Sequence, residues 1–288
     1  MSATDPITPF PYFGSKSRIL PWLYAHFPPN DRIDTYVEPF GGGGSVLLNR
    51  APVPKEVYND VDGELVNLFR VMRESPAELR RLLDLTPYAR EEFALSLEPI
   101  GPEVSPIERA RRYRFRLGSA WGGRGQQPDG PGAFMSDGGK AAWYRDGLGN
   151  FEEIAARLRN VVIEHRDVFE VIARFDSPTT LFYLDPPYNA EARALTGQYL
   201  YEFSDEQHFR LASVLRIAKG YVAVSGYSSA LTNRLYAGWT RTDKEVVATS
   251  STKATRRIES LWTNYEPGTW KRTVTEATAP IETMENTW

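Results

Sequence analysis

Thr35-Tyr-Val-Glu-Pro-Phe40 runs directly into Gly41-Gly-Gly-Gly-Ser45 and on into Val46-Leu-Leu-Asn-Arg50. The first part is a short β-rich run, the glycines form a turn, and the last part starts a helix. Glycines in that position let the backbone approach a ligand closely and leave free N–H groups at a helix N-terminus, as a nucleotide-type cofactor requires. Asp60 ends the next short strand, Glu56-Val-Tyr-Asn59. That is about 20 residues further on, where a carboxylate accepts hydrogen bonds from ribose hydroxyls. Glu38, just before the turn, is placed to face a cofactor amino group. The plainer reading is a tight strand–helix turn with a capping Asp, and both stay open here. A P-loop is excluded, because no G-x-x-x-x-G-K-[ST] occurs; Gly14-Ser-Lys-Ser17 lacks the first glycine and the Gly-Lys pair.

Outward from this turn, strand and helix alternate. A helix is predicted from Gly63 to about Arg73, and helices over 76–97 and 105–120, the latter two opened by Ser75-Pro76 and Ser105-Pro106. Then come a strand at Val161–Glu164, a helix over 168–174, a strand at Thr180–Leu184, a helix from Ser204 to about Ala218 and a strand at Tyr221–Ser225. Two closing strands are predicted at 239–248 and 258–264, around the polar tip Ser250–Thr255. This rhythm predicts an α/β fold, a mainly parallel sheet with helices on both faces. Residues 75–160 break it and read as an insertion. Within them Gly118–Gly149 holds ten glycines among aromatics, the composition of a long functional loop rather than a linker. The expected organisation is a catalytic domain of residues 1–75 and 160–265, an inserted domain of 76–159 and a C-terminal tail of 266–288.

Composition narrows the chemistry. The 288 residues include no cysteine, which excludes a disulfide framework, thiolate metal sites and a sulfur nucleophile. Three scattered histidines, His26, His165 and His208, do not suggest a metal cluster, so no metal is expected. The start, MSATDPITPFPYF, lacks the pattern of a signal peptide, and no stretch approaches roughly 18 apolar residues. A soluble cytoplasmic protein, off the membrane and monomeric, is expected. A chain of this length buries about 75% of its unfolded surface and should fold alone. The net charge of −3 argues, on average, mildly against a polyanionic partner.

Asp185-Pro-Pro-Tyr188 follows the apolar run 180–184. Two prolines fix the backbone, and Asp185 projects at the carboxyl end of the strand, the edge where open α/β sheets bind ligands. An exocyclic amino group there donates one hydrogen to Asp185 and the other to the Pro186 carbonyl, with the Tyr188 ring stacked on the base. A strand-terminating turn is the plain alternative.

Together these motifs resemble the Dam-type family of DNA adenine N6-methyltransferases, which use S-adenosylmethionine. Pro9-Phe-Pro-Tyr-Phe-Gly-Ser-Lys16 resembles the family's N-terminal cofactor segment, although Ser15 stands where a glycine is usual. Glu38-Pro-Phe-Gly-Gly-Gly-Gly-Ser45 resembles its glycine loop, Asn59-Asp60 its ribose carboxylate, Arg166-Asp167-Val168-Phe169 the segment bracketing the cofactor adenine, and Asp185-Pro-Pro-Tyr188 its catalytic motif. The resemblance implies a class I methyltransferase, Rossmann-like fold, with Tyr12, Lys16, Glu38, Phe40, Gly41, Gly43, Asp60, Asp167, Val168 and Asp185 at the cofactor. Asp185, Pro186, Pro187 and Tyr188 would form the catalytic motif. It implies direct methyl transfer to a base flipped out of double-stranded DNA. Transfer to an amino group needs no thiol, whereas cytosine C5 methylation does. Alternatives are N4-cytosine methylation, for which Ser-Pro-Pro-Tyr is commoner, methylation of a protein glutamine, whose similar motif begins with Asn, and a silent DNA-binding protein. A restriction partner, a solitary methylase and a phage enzyme would look alike.

Between Arg109 and Arg124 lie six arginines, at 109, 111, 112, 114, 116 and 124, and no acid. On a helix Arg109, Arg112 and Arg116 share a face, and arginine suits phosphate and guanine contacts. The alternative is a helix face paired with acids of neighbouring helices. In the family a hairpin after this helix enters the DNA groove, and Gly118–Gly149 resembles it in place. Arg112, Arg116, Arg124, Gln126, Gln127 and Lys140 are therefore candidate DNA contacts. Lys253, Arg256 and Arg257 form a second basic cluster at the tip between the last strands, and Arg256 is a further candidate contact to backbone phosphates.

Overall fold

A computed structural model describes residues 5–120, 134–135, 139–188, 203–250 and 253–273. Seven strands form one sheet: β1 (Thr35–Glu38), β2 (Lys55–Asn59), β3 (Val161–Glu164), β4 (Thr180–Leu184), β5 (Tyr221–Tyr227), β6 (Thr240–Ser250) and β7 (Lys253–Thr263). Their order is β3-β2-β1-β4-β5-β7-β6, and every pairing is parallel except those of β7. This is the expected class I methyltransferase arrangement. From β1 the chain first builds outward to β2 and β3, then returns to β4 on the other side. The crevice between the carboxyl ends of β1 and β4 is thus a topological switch point, where such sheets bind ligands.

Both faces of the central strands are covered, so β1 and β4 are buried along their whole length. Successive residues feed opposite cores: Tyr36, Leu181 and Tyr183 join one, Val37, Phe182 and Leu184 the other. Each large apolar side chain so buried contributes about 1.5–3 kcal/mol, which fixes the register that aims Glu38 and Asp185 at the crevice.

The helix predicted over 76–97 is two helices, Pro76–Leu85 and Arg90–Leu97. Pro87 is the cause: it has no N–H to give and forces Thr86 into extended backbone (ψ 121°). The tip predicted at Ser250–Thr255 is mostly strand, since β6 and β7 stay paired as far as Ser250 opposite Lys253. The inserted helices pack on the helix Gly63–Glu74 and share its core. Ala110, Phe115, Ile154 and Leu158 belong to the same core as Leu65 and Phe69. Among the described residues no helix is long and apolar enough to cross a membrane, and no group of acids and histidines is arranged to hold a metal ion.

Candidate active site

The glycine turn is dictated by crowding. Gly42 (φ +49°) and Gly44 (φ +66°) occupy left-handed backbone, and a Cβ on Gly41 would sit 2.2 Å from the Tyr58 ring. A Cβ on Gly43 would lie 2.9 Å from Cβ of Tyr12. Asp60 ties the turn down, accepting the Gly42 N–H at 2.9 Å and the Asp62 N–H at 2.9 Å. Asp60 thus anchors the turn and lines the cleft, while the cap of the following helix Gly63–Glu74 is Asp62. Burial pushes its pKa up to about 6, opposed by these backbone N–H groups.

The turn walls a cleft of about 260 Å³, and all ten residues assigned to the cofactor line it. Glu38 forms its floor, buried at 2% exposure with the Tyr36 hydroxyl donating at 2.6 Å. Burial raises the Glu38 pKa to about 8, more than the Tyr36 bond and nearby Arg50 lower it. Asp167 caps the helix Val168–Phe175 by accepting the Phe169 N–H at 2.8 Å. Phe40 packs edge-on against Phe203, with centroids 5.4 Å apart. Asn59 binds the strand ends together, donating to the carbonyls of Pro39 and Arg166 and accepting the Arg166 N–H.

At one end of the cleft β4 delivers Asp185 to Lys16. The Lys16 ammonium lies 2.7 Å from Asp185 Oδ2 and 3.3 Å from Glu259, and donates to the Tyr188 hydroxyl at 2.8 Å. Tyr188 in turn donates to Glu259 at 2.9 Å, and Ser225 donates to Asp185 Oδ1 at 2.9 Å. Burial works against a charge on Lys16, yet Asp185 and Glu259 together outweigh it and hold its pKa well above the usual lysine range. Asp185 is also raised, by burial and by the neighbouring Glu259, because one ammonium cannot fully compensate two buried carboxylates. The segment after β4 is held from behind by His208, whose Nε2 lies 3.0 Å from the Pro187 carbonyl. The corner thus offers a carboxylate acceptor at the mouth of a nucleotide-sized cleft, on a backbone that cannot drift.

A family model of the D12 class N6 adenine-specific DNA methyltransferases matches residues 12–251. The chain belongs to that family. The methyltransferase is 29% identical to Type II methyltransferase M1.LlaDCHI of Lactococcus lactis subsp. cremoris, over 88% of this chain and 93% of that one. It is 24% identical to Type II methyltransferase M.MjaIII of Methanocaldococcus jannaschii, over 70% and 77% of the two chains. Among solved structures it superposes on a precorrin 8W decarboxylase from the Methanobacterium thermoautotrophicum genome with a TM-score of 0.36 and 11% identity, covering 88% and 92%. The enzyme is an adenine-specific DNA methyltransferase.

Several residues of the methyltransferase's site carry no motif. Glu259, Ser225, His208 and Tyr183 surround the Asp185 corner, and Ser45 accepts the Lys16 N–H at 3.2 Å. The one trace of Glu259 in sequence is a lone acid within the closing strand Ile258–Asn264. Its neighbours on the sheet are Tyr227 of β5 and Lys244 of β6, an assignment that needs the order β5-β7-β6.

The arginine helix of the methyltransferase differs from expectation. Arg112 donates to Glu108 at 2.8 Å, and Arg116 is 8% exposed, donating to the Ser96 carbonyl at 3.1 Å and lying over the Tyr113 ring. Arg109 pairs with Glu64, and Arg111 with Glu108 and Glu92. The acids come from the first turn of this helix and from its neighbours, and the long stems fill the space between helices. The described contacts of Arg112 and Arg116 thus lie within the helix layer. Lys140 is half-buried at the start of the helix Lys140–Asp146. The Arg256 side chain, 80% exposed, reaches Glu245 at 3.1 Å. Arg124, Gln126 and Gln127, like Asn189–Tyr201, lie outside the described residues.

Proposed function

We propose that the enzyme uses S-adenosylmethionine to methylate N6 of an adenine flipped out of double-stranded DNA, with Asp185 as the residue that orients the amino group. The cofactor supplies an electrophilic methyl group on a sulfonium. The cleft residues suit it chemically. Glu38 is a buried acid with a pKa near 8, and an ammonium brought beside it would ionise it into a paired carboxylate. Asp60 presents a carboxylate for ribose hydroxyls, Asp167 and Val168 bracket the adenine, Phe40 lines the same cleft, and Tyr12 and Lys16 frame the methionine half.

On the substrate side, Asp185 accepts one N6 hydrogen and the Pro186 carbonyl the other, turning the nitrogen lone pair toward the methyl group. Tyr188 stacks on the base, which offsets the few kcal/mol of unstacking. Pro187 stiffens the segment that carries all three. The catalysis asked of the protein is orientation and charge stabilisation, without a covalent intermediate. The observation that carries this reading is the position of Asp185, shared between the cofactor cleft and the Asp-Pro-Pro-Tyr corner.

Incubation with labelled S-adenosylmethionine and unmethylated plasmid, followed by digestion to nucleosides, tests it. N6-methyl-2′-deoxyadenosine is expected; N4-methyl-2′-deoxycytidine would refute the assignment. Asp185→Ala should abolish transfer while leaving most DNA affinity, and retained turnover would remove Asp185 from the mechanism.

A further inference from the structure

We propose that Glu259 is a positioning residue for methyl transfer, anchoring the Tyr188 hydroxyl and sharing the Lys16 ammonium so that the corner around Asp185 carries one net negative charge. This deepens the preceding reading and rests on it. Glu259 is 4% exposed, on the central part of β7, outside the cleft lining, and reaches it through Lys16. Its carboxylate accepts from Tyr188 at 2.9 Å and lies 3.3 Å from Lys16. A carboxylate is costly to bury, and a purely structural pair would be complete with Lys16 and Asp185 alone. The second acid changes what the pair does.

With Asp185 as its one partner, Lys16 would close a neutral ion pair and compete with the adenine amino group for the same oxygens. With two acids, the ammonium is divided between Asp185 Oδ2 and Glu259, and the three charges sum to minus one. As N6 attacks, it gains positive charge while the sulfonium loses it. A buried negative corner beside N6 stabilises that change more strongly than it stabilises the ground state. The Tyr188 hydroxyl is fixed at the same time by Lys16 and Glu259, so its ring, 4.6 Å from that of Tyr227, has its plane set before a base arrives.

The test uses the full chain with cognate plasmid DNA and labelled S-adenosylmethionine. Glu259→Gln keeps shape and a hydrogen-bond acceptor for Tyr188 but removes the charge. Its single-turnover rate should fall about tenfold or more, with dissociation constants for DNA and cofactor moving by less than about threefold. Glu259→Asp, which keeps the charge, should recover most of the lost rate. The pH profile supplies a readout that a structural role would not move. The charged or titratable groups facing Asp185 are Lys16, Glu259, Tyr188 and Tyr183, and Glu259 raises the Asp185 pKa. In Glu259→Gln the acid limb of the rate should therefore shift to lower pH. A wild-type rate and acid limb in Glu259→Gln would overturn the proposal, as would equal losses in the Gln and Asp variants. Loss of folding in both variants would assign Glu259 to stability and overturn it too. Asp185→Ala separates the two levels: if it retains turnover, the underlying reading fails, whereas a dead Asp185→Ala beside a normal Glu259→Gln defeats this inference alone.

Discussion

Glu38 and Asp60 are both acids at strand ends, and their surroundings give them different protonation behaviour. Glu38 has a folded pKa of about 8 against an ordinary value of 4.5, so the folded protein holds a proton there that the unfolded chain gives up. Folding stability from this site is fully present at low pH and drains away as pH rises from about 4.5 through 8. Glu38→Gln should therefore raise the melting temperature of the cofactor-free protein at pH 8 but not at pH 5, while weakening cofactor binding; a gain of the same size at both pH values would contradict this. Asp60, at about 6, should lose its charge in mild acid. Affinity for S-adenosylmethionine is expected to weaken about tenfold between pH 7 and 5, and Asp60→Asn should flatten that dependence when binding is followed by titration calorimetry. The identity of both acids was readable because each sits at a strand end in a motif. Their protonation was not, since it depends on how deeply neighbouring elements bury them.

At the scale of elements, the strand–turn–helix unit at 35–50 could be read from the sequence because its determinants are local: an apolar run, four glycines and a helix start. Gly41→Ala tests it, since the new Cβ meets the Tyr58 ring, which stacks against Phe69 with centroids 4.5 Å apart and has little room to move. A loss of about 1–3 kcal/mol in chemical denaturation, with loss of cofactor binding, is expected; near-normal values for both would mean the turn relaxes freely. The arginine helix left two readings open for a related reason. Spacing identifies which arginines share a face, but not that Glu64 and Glu92 come from other helices to meet them. Arg116→Ala should cost about 1–3 kcal/mol of stability through its lost packing and the stranded Ser96 carbonyl, and should leave the salt dependence of DNA binding unchanged. A flatter salt slope in that variant would return Arg116 to the DNA surface.

Over the whole molecule, the net charge of −3 is an average: Glu38, Asp60, Asp185 and Lys16 line the cleft, arginines and acids pair within the helix layer, and other bases stand exposed. Arg256, exposed on the β6–β7 hairpin, is the described residue that best keeps the expectation of phosphate contact. Arg256→Ala should lower the slope of log affinity against log salt by about one without altering the melting temperature, and an unchanged slope would exclude it from the interface. The parallel part of the sheet and the two ends of the cleft followed from alternation and motif. The reversed β7 between β5 and β6 did not, because nothing local to residues 253–263 states which neighbour they will pair with.

That reversed strand also sets a timetable. Lys16 is separated from Tyr188 by 172 residues and Tyr188 from Glu259 by another 71, so the ribosome makes the corner's first charge early and its last one late. A nascent chain that has already emerged with its glycine turn and its Asp-Pro-Pro-Tyr segment still lacks the strand that completes the corner. Glu259 joins Lys16 and Tyr188 once β7 has been made and has paired with β5 and β6.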